Sequence, residues 1–154
     1  SVYARIKEKT QEEVPHANFE SALKDYKKFH KAVSEGLILS AHDVSEGGLG
    51  VAIAEMAFSE VGGVTIDLEQ LPTQGEMSNA ECLFAETPSR LLIECEPDSL
   101  NQLEKIFEGS DCSVIGKVTT EHQNLSINVG SENVLEIGIS TLKEKWKNVL
   151  TPYY

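Results

Sequence analysis

Leu37-Ile38-Leu39-Ser40-Ala41-His42-Asp43-Val44-Ser45-Glu46-Gly47-Gly48-Leu49-Gly50-Val51-Ala52-Ile53-Ala54-Glu55-Met56-Ala57-Phe58 is the stretch whose reading decides the fold. Leu37, Ile38, Leu39 and Ala41 form a short apolar run suited to a buried strand. His42, Asp43, Ser45 and Glu46 with Gly47 and Gly48 make a polar turn. From Leu49 to Phe58 only Gly50 and Glu55 interrupt the apolar residues, which predicts a helix buried nearly all round. The first amides of such a helix lack intrahelical partners, and the macrodipole adds positive charge there. Paired glycines let another group approach that backbone closely. Asp43 and Ser45 are good N-caps, and Asp43 with Glu46 has capping-box spacing. Local chemistry therefore allows two readings: a capped helix start, or an anion or metal site at amides facing an open groove.

Outward from this stretch, Asn18 caps a predicted helix that ends near Glu35 and Gly36, with Phe19, Leu23, Tyr26, Phe29 and Val33 as one buried stripe. The face around Lys24, Lys27, Lys28 and Lys31 reads as solvated. Val64, Ile66 and Leu68 alternate as a strand, and Cys82–Ala85 and Arg90–Glu96 read as two more. Pro97 or Asp98 opens a helix ending at Gly109, and Cys112–Val118 reads as a strand. A hairpin over Leu125–Gly138 turns at Gly130–Asn133, and a final helix covers about Ser140–Leu150. Ser1–Ala17 reads as a linker, or as an N-terminal extension that packs on a missing partner, before a single domain over 18–154. Hairpins mixed with crossovers predict an α+β fold with a mixed, largely antiparallel sheet and helices packed on it.

The 154 residues suffice for one core, and 40% hydrophobic with 25% charged residues is ordinary for a globular domain. A net charge of −12 argues against a nucleic-acid binder. No run is long enough to span a membrane. Three scattered cysteines, Cys82, Cys95 and Cys112, form no disulfide framework and no Cys-x-x-Cys pair, and a reducing cytoplasm is expected. His16, His30 and His122 lack metal-ligand spacing. There is no P-loop, no His-Glu-x-x-His and no nucleophile elbow, so no catalytic residue is assigned.

Ser40-Ala41-His42-Asp43-Val44-Ser45-Glu46-Gly47-Gly48-Leu49 closely resembles the signature of the phosphoribosylformylglycinamidine synthase family. Leu83-Phe84-Ala85-Glu86-Thr87-Pro88-Ser89-Arg90 and Ile115-Gly116-Lys117-Val118-Thr119 resemble its second and third landmarks, in the family's order. The resemblance runs from about Ser1 to Trp146. It implies the C-terminal-domain fold of the aminoimidazole ribonucleotide synthetase superfamily, three-layered and partly ferredoxin-like, in a domain cut from a longer ATP-dependent ligase. That ligase joins glutamine-derived ammonia to formylglycinamide ribonucleotide. The implied partners are the missing N-terminal ATP-binding half, the glutaminase subunit and the ribonucleotide. ATP and Mg²⁺ are the implied cofactors of the whole enzyme. The wording resembles the second of two tandem copies. Roles carried over from the first copy make Asp43 a Mg²⁺ ligand and bring Glu86 to Ser89 to substrate. Ser45, Gly47, Gly48, Glu86, Ser89 and Arg90 are the candidate phosphate or substrate binders, with His42 and Glu46 in the cleft. Each keeps a structural alternative: Asp43 an N-cap, Arg90 an ion pair with Glu86. Other superfamily members, of the aminoimidazole ribonucleotide or selenophosphate synthetase type, spell the glycine turn differently. A non-catalytic nucleotide-binding or assembly module is the alternative from another class.

Overall fold

The structure is a computed structural model and describes residues 1–8, 16–58, 62–73 and 75–148. In chain order the elements are α1 (Val2–Ile6), α2 (Phe19–Ser34), β1 (Ser40–Asp43), α3 (Gly48–Ala57), β2 (Gly63–Asp67), α4 (Asn79–Phe84), β3 (Leu91–Glu94), α5 (Leu100–Ile106), β4 (Gly116–Thr119), β5 (Asn124–Val129), β6 (Glu132–Gly138) and α6 (Ile139–Lys147). Helices and mixed, mainly antiparallel sheets make the fold α+β, as expected. The chain divides into two compact units, one of residues 1–52 and 83–112 and one of residues 53–82 and 113–154.

In the first unit, β1 and β3 pair antiparallel as a two-stranded ribbon, Ser40 opposite Glu94 and Asp43 opposite Leu91. Ala4, Ala32, Val44, Leu49, Ala52, Leu83 and Leu103 are its buried apolar residues. The expectation of a buried strand at Leu37–Ala41 needs correction. The strand begins at Ser40, Leu39 is 57% exposed, and Ala41 is exposed. An antiparallel ribbon can leave one face to solvent, and β1 alternates half-buried and exposed residues accordingly.

Helix α2 starts where Asn18 predicts, its Oδ1 accepting the Ser21 N–H at 3.1 Å. Of the expected stripe only Phe29 lies on the enclosed side. Phe19, Leu23, Tyr26 and Val33 are exposed, Phe19 at 81%. The enclosed side is Ala22, Asp25, Lys28, Phe29 and Ala32, with Ala32 fully buried. Small and polar residues do the joining there. Lys28 Nζ donates to the Glu108 carbonyl at 2.8 Å and to Ser110 Oγ at 2.7 Å, and Ser110 Oγ donates to Asp25 Oδ1 at 2.5 Å. Lys28 is therefore bonded within the chain, whereas Lys24 and Lys31 make exposed pairs with Glu20 and Glu35.

The second unit holds the four-stranded sheet, in the order β4-β2-β5-β6. β2 runs antiparallel to β4 and parallel to β5, and β5–β6 is the predicted hairpin. Ile53, Ala57, Ile66, Leu68, Cys82, Leu125, Ile127 and Ile139 are buried. Asp67, at the end of β2, accepts the Gly130 N–H of the hairpin turn at 2.9 Å. That bond, then the Glu69 N–H, holds its carboxyl below the ordinary value. On α6, Trp146 Nε1 donates to Glu55 Oε1 at 2.9 Å and the indole packs on Phe58. β4 begins at Gly116 and not at Cys112, and as an edge strand it leaves Val118 exposed.

Two more expectations change. Cys82–Phe84 lies in α4, not in a strand. Ser78 and Glu81 form a capping box, the Ser78 N–H donating to Glu81 Oε2 at 2.8 Å and the Glu81 N–H to Ser78 Oγ at 3.3 Å. Within Ser1–Ala17, expected as a linker or a packing N-terminal extension, Val2–Ile6 is helical with Ala4 buried, so this part is not a bare linker. Residues 9–15 lie outside the described residues, as do the last predicted helical residues, Val149 and Leu150.

Candidate functional site

The two landmark segments meet in the first unit. His42 and Asp43 end β1, so the turn proper is Val44–Gly47. The Val44 N–H donates to the Arg90 carbonyl at 3.0 Å, which carries the ribbon pairing into the second landmark. Helix α3 then starts at Gly48, too late for an Asp43–Glu46 capping box. Its leading amides are met differently. The Gly48 N–H donates to the Ser45 carbonyl at 3.0 Å, and the Gly47 N–H donates to Glu86 Oε1 at 3.0 Å.

Both glycines are required by the geometry. Gly47 has φ +80° and Gly48 φ +69°. A Cβ on Gly48 would lie 2.7 Å from the Leu83 carbonyl oxygen and 2.8 Å from that of Ala85. The start of α3 therefore sits against the C-terminal carbonyls of α4, where its positive end meets their negative end. The expected open groove at these amides is not what the structure shows. Gly48 is buried, and the Gly47 amide already faces a carboxylate of the same chain.

Glu86 Oε1 also accepts the Val2 N–H at 2.8 Å, and Oε2 lies 4.0 Å from the Ser1 amine. The Val2 bond is the largest influence holding the Glu86 carboxyl below its ordinary value, opposed by desolvation and helped by Gly47, the Ser1 amine and Arg5. Next to this joint the Tyr3 ring stacks on Phe84 with centroids 4.8 Å apart, and Phe84 covers Gly50.

Arg90 turns back on its own loop, where Nε donates to the Thr87 carbonyl at 3.3 Å and Nη2 to the Ala85 carbonyl. Burial lowers the pKa of this guanidinium. Glu86 and Arg90 thus serve separate backbone partners in place of the ion pair that is the structural alternative. Between them Pro88 and Ser89 form the turn, with Ser89 at φ +66° and exposed. That conformation is one usually left to glycine at the third position of a Pro-initiated turn.

Of the remaining candidates, Ser45 and Glu46 are exposed. His42 Nδ1 lies 2.6 Å from the Asp43 carbonyl oxygen and 3.7 Å from Asp43 Oδ1, and the Asp43 side chain is 72% exposed. Among the described residues, no three His, Cys, Asp or Glu side chains gather as a metal cage. Asp43 alone offers Mg²⁺ one carboxylate, which does not make a protein-built site. None of the described helices is long and apolar enough to cross a membrane. The joint thus brings together Gly47, Gly48, Glu86 and the Arg90 backbone, and leaves Ser45, Glu46 and Ser89 at the surface. Sequence reasoning missed Val2 and Tyr3, because nothing local in Ser1–Ile6 points to residue 86.

The model of the family described as AIR synthase related protein, C-terminal domain, matches residues 2–128. Phosphoribosylformylglycinamidine synthase subunit PurL of Lactobacillus acidophilus is 38% identical over 138 residues, which cover 89% of this chain and 17% of that protein. The same-named protein of Methanococcus aeolicus is 31% identical, covering 90% of this chain and 18% of its own length. This chain thus spans about a sixth of these relatives. Among solved structures, phosphoribosylformylglycinamidine synthase II of Thermotoga maritima superposes with a TM-score of 0.74 at 20% identity, over 84% of this chain and 22% of that one. Thermotoga maritima PurL complexed with FGAR gives 0.72 at 21% identity, over 79% and 20%. The likeness to these structures shows a shared fold, and the family match over most of the chain shows descent: this chain belongs to the AIR synthase-related proteins, as their C-terminal domain.

Proposed function

We propose that this chain is the C-terminal-domain part of a phosphoribosylformylglycinamidine synthase. In that reading the whole enzyme uses ATP to activate the amide oxygen of formylglycinamide ribonucleotide, and ammonia released from glutamine by a glutaminase subunit displaces the phosphate. The observation that carries the reading is the identity of 38% across 89% of the chain to a protein of that name. The packing of both landmark segments into one joint supports it. The chain's own contribution is cleft wall and support. Ser45 and Ser89 are the surface hydroxyls it offers to a ligand, and Asp43 is one oxygen for a Mg²⁺ that arrives with its phosphate and waters. The enzyme would work in the cytoplasm, and the chain alone would be inactive.

The test is a chimera. The matching segment of the Lactobacillus acidophilus protein is replaced by this chain and expressed in a host lacking the synthase. Growth without purines is the expected result. A folded, soluble chimera that supports no growth and no ammonia-dependent ADP formation overturns the reading.

The engagement of the Gly47 amide by Glu86 favours a second reading, in which this copy only braces the assembly. Titration of ADP and Mg²⁺ into the chain distinguishes them. Binding restricted to the chimera assigns bracing to this chain, and saturable binding to the chain alone assigns it a nucleotide cleft.

A further inference from the structure

We infer that Glu86 is a positioning residue, an internal anion that ties helix α1 to the paired-glycine turn so that the two respond as one element. One oxygen, Oε1, takes the N–H groups of Val2 at 2.8 Å and Gly47 at 3.0 Å. These two donors come from segments far apart in the chain, and each would otherwise be an unpaired amide, Val2 in the first turn of α1 and Gly47 just ahead of α3. A carboxylate is the acceptor best suited to hold two N–H groups at once.

The sterics hold the turn to glycine at both positions. Gly47 is held at φ +80°, its Cβ position taken by Val51 Cγ2, and Gly48 is pressed on the Leu83 and Ala85 carbonyls. The turn is thus docked on α4, and Glu86, two residues beyond α4, closes it. On the other side Tyr3 stacks on Phe84, the last residue of α4. α1, the turn and the end of α4 share Glu86 as their common polar contact. An anion arriving at the Gly47 amide has to displace this carboxylate, and doing so also frees Val2. The inference concerns this chain by itself, so its failure leaves the proposed activity standing, and the reverse holds too.

The charged groups facing Glu86 are the Ser1 amine and Arg5. The test is an acid titration of the 154-residue chain followed by the amide resonances of Val2 and Gly47. Both are expected to move with one shared midpoint, below the ordinary glutamate range. In E86Q both movements vanish while both amides keep an acceptor. In E86A both resonances shift, and tryptic cleavage after Arg5 rises several-fold. Y3A loosens α1 but leaves the Gly47 titration in place. Two different midpoints, or a Gly47 titration that survives E86Q, overturns the inference. Should E86A fail to fold, E86Q alone decides.

Discussion

The landmark joint and helix α2 lie in the same unit and treat their side chains in opposite ways. At the joint, groups that look made for a ligand are spent on the chain itself: Gly47 on Glu86, Arg90 on the Ala85 and Thr87 carbonyls. On α2, residues that look made for a core are turned outward, and Ala22 and Ala32 with a Lys28–Ser110–Asp25 chain form the seam. A polar motif can therefore be structural, and an apolar stripe can belong to the surface. Periodicity says which residues share a helix face. It does not say which way that face points.

The contrast can be broken most sharply at Gly48. G48A brings a Cβ onto two carbonyl oxygens at a positive φ. Thermal or urea denaturation is expected to show a loss of about 3 kcal/mol from left-handed strain and overpacking together. A change below about 1 kcal/mol would mean that the turn is not pressed on α4. Next comes A32L, which puts bulk into the fully buried seam of α2 and is expected to cost about 1–3 kcal/mol in the same measurement.

Acid sharpens the comparison further. Glu86 and Asp67 both have carboxyls lowered in the folded chain, each mainly by a backbone N–H. A lowered folded value means that their stabilisation is complete above the unfolded value and is lost as pH falls through the folded one. Stability of the wild-type chain should therefore fall on acidification below the ordinary carboxylate range, and the double substitution E86Q/D67N should flatten that slope. The smallest effect is expected at the outward stripe. L23S, at a residue 56% exposed, should change stability by no more than about 0.5 kcal/mol. A loss as large as that from A32L would show that the stripe is packed after all.

Much of the fold is legible from local chemistry. Asn18 announces α2, the alternation of Leu125, Ile127 and Val129 announces β5, and the nearly continuous apolar run after Gly48 announces α3. The misreadings have equally local causes. Leu83-Phe84-Ala85 is too short to choose between helix and strand by periodicity, and the deciding Ser78–Glu81 capping box lies upstream of it. At the candidate site the glycine pair and its sharp bend are readable. The identity of its anion is not, because Glu86 stands 39 positions from Gly47 and 84 from Val2. Contacts of that span are set by how α4 and α1 dock, and no window of sequence carries that information.

β2 is central in its sheet, yet its two neighbours come late in the chain: β4 begins at Gly116 and β5 at Asn124. The parallel partner of Val64 is Leu125, about sixty residues downstream. During synthesis β2 therefore emerges with both hydrogen-bonding edges bare and stays so until most of the domain has left the ribosome. Loop closure over that distance is slow relative to a hairpin. The β5–β6 hairpin is the local pairing of this sheet, and Asp67 at the end of β2 accepts the Gly130 N–H of its turn, so one bond joins the early strand to the late hairpin.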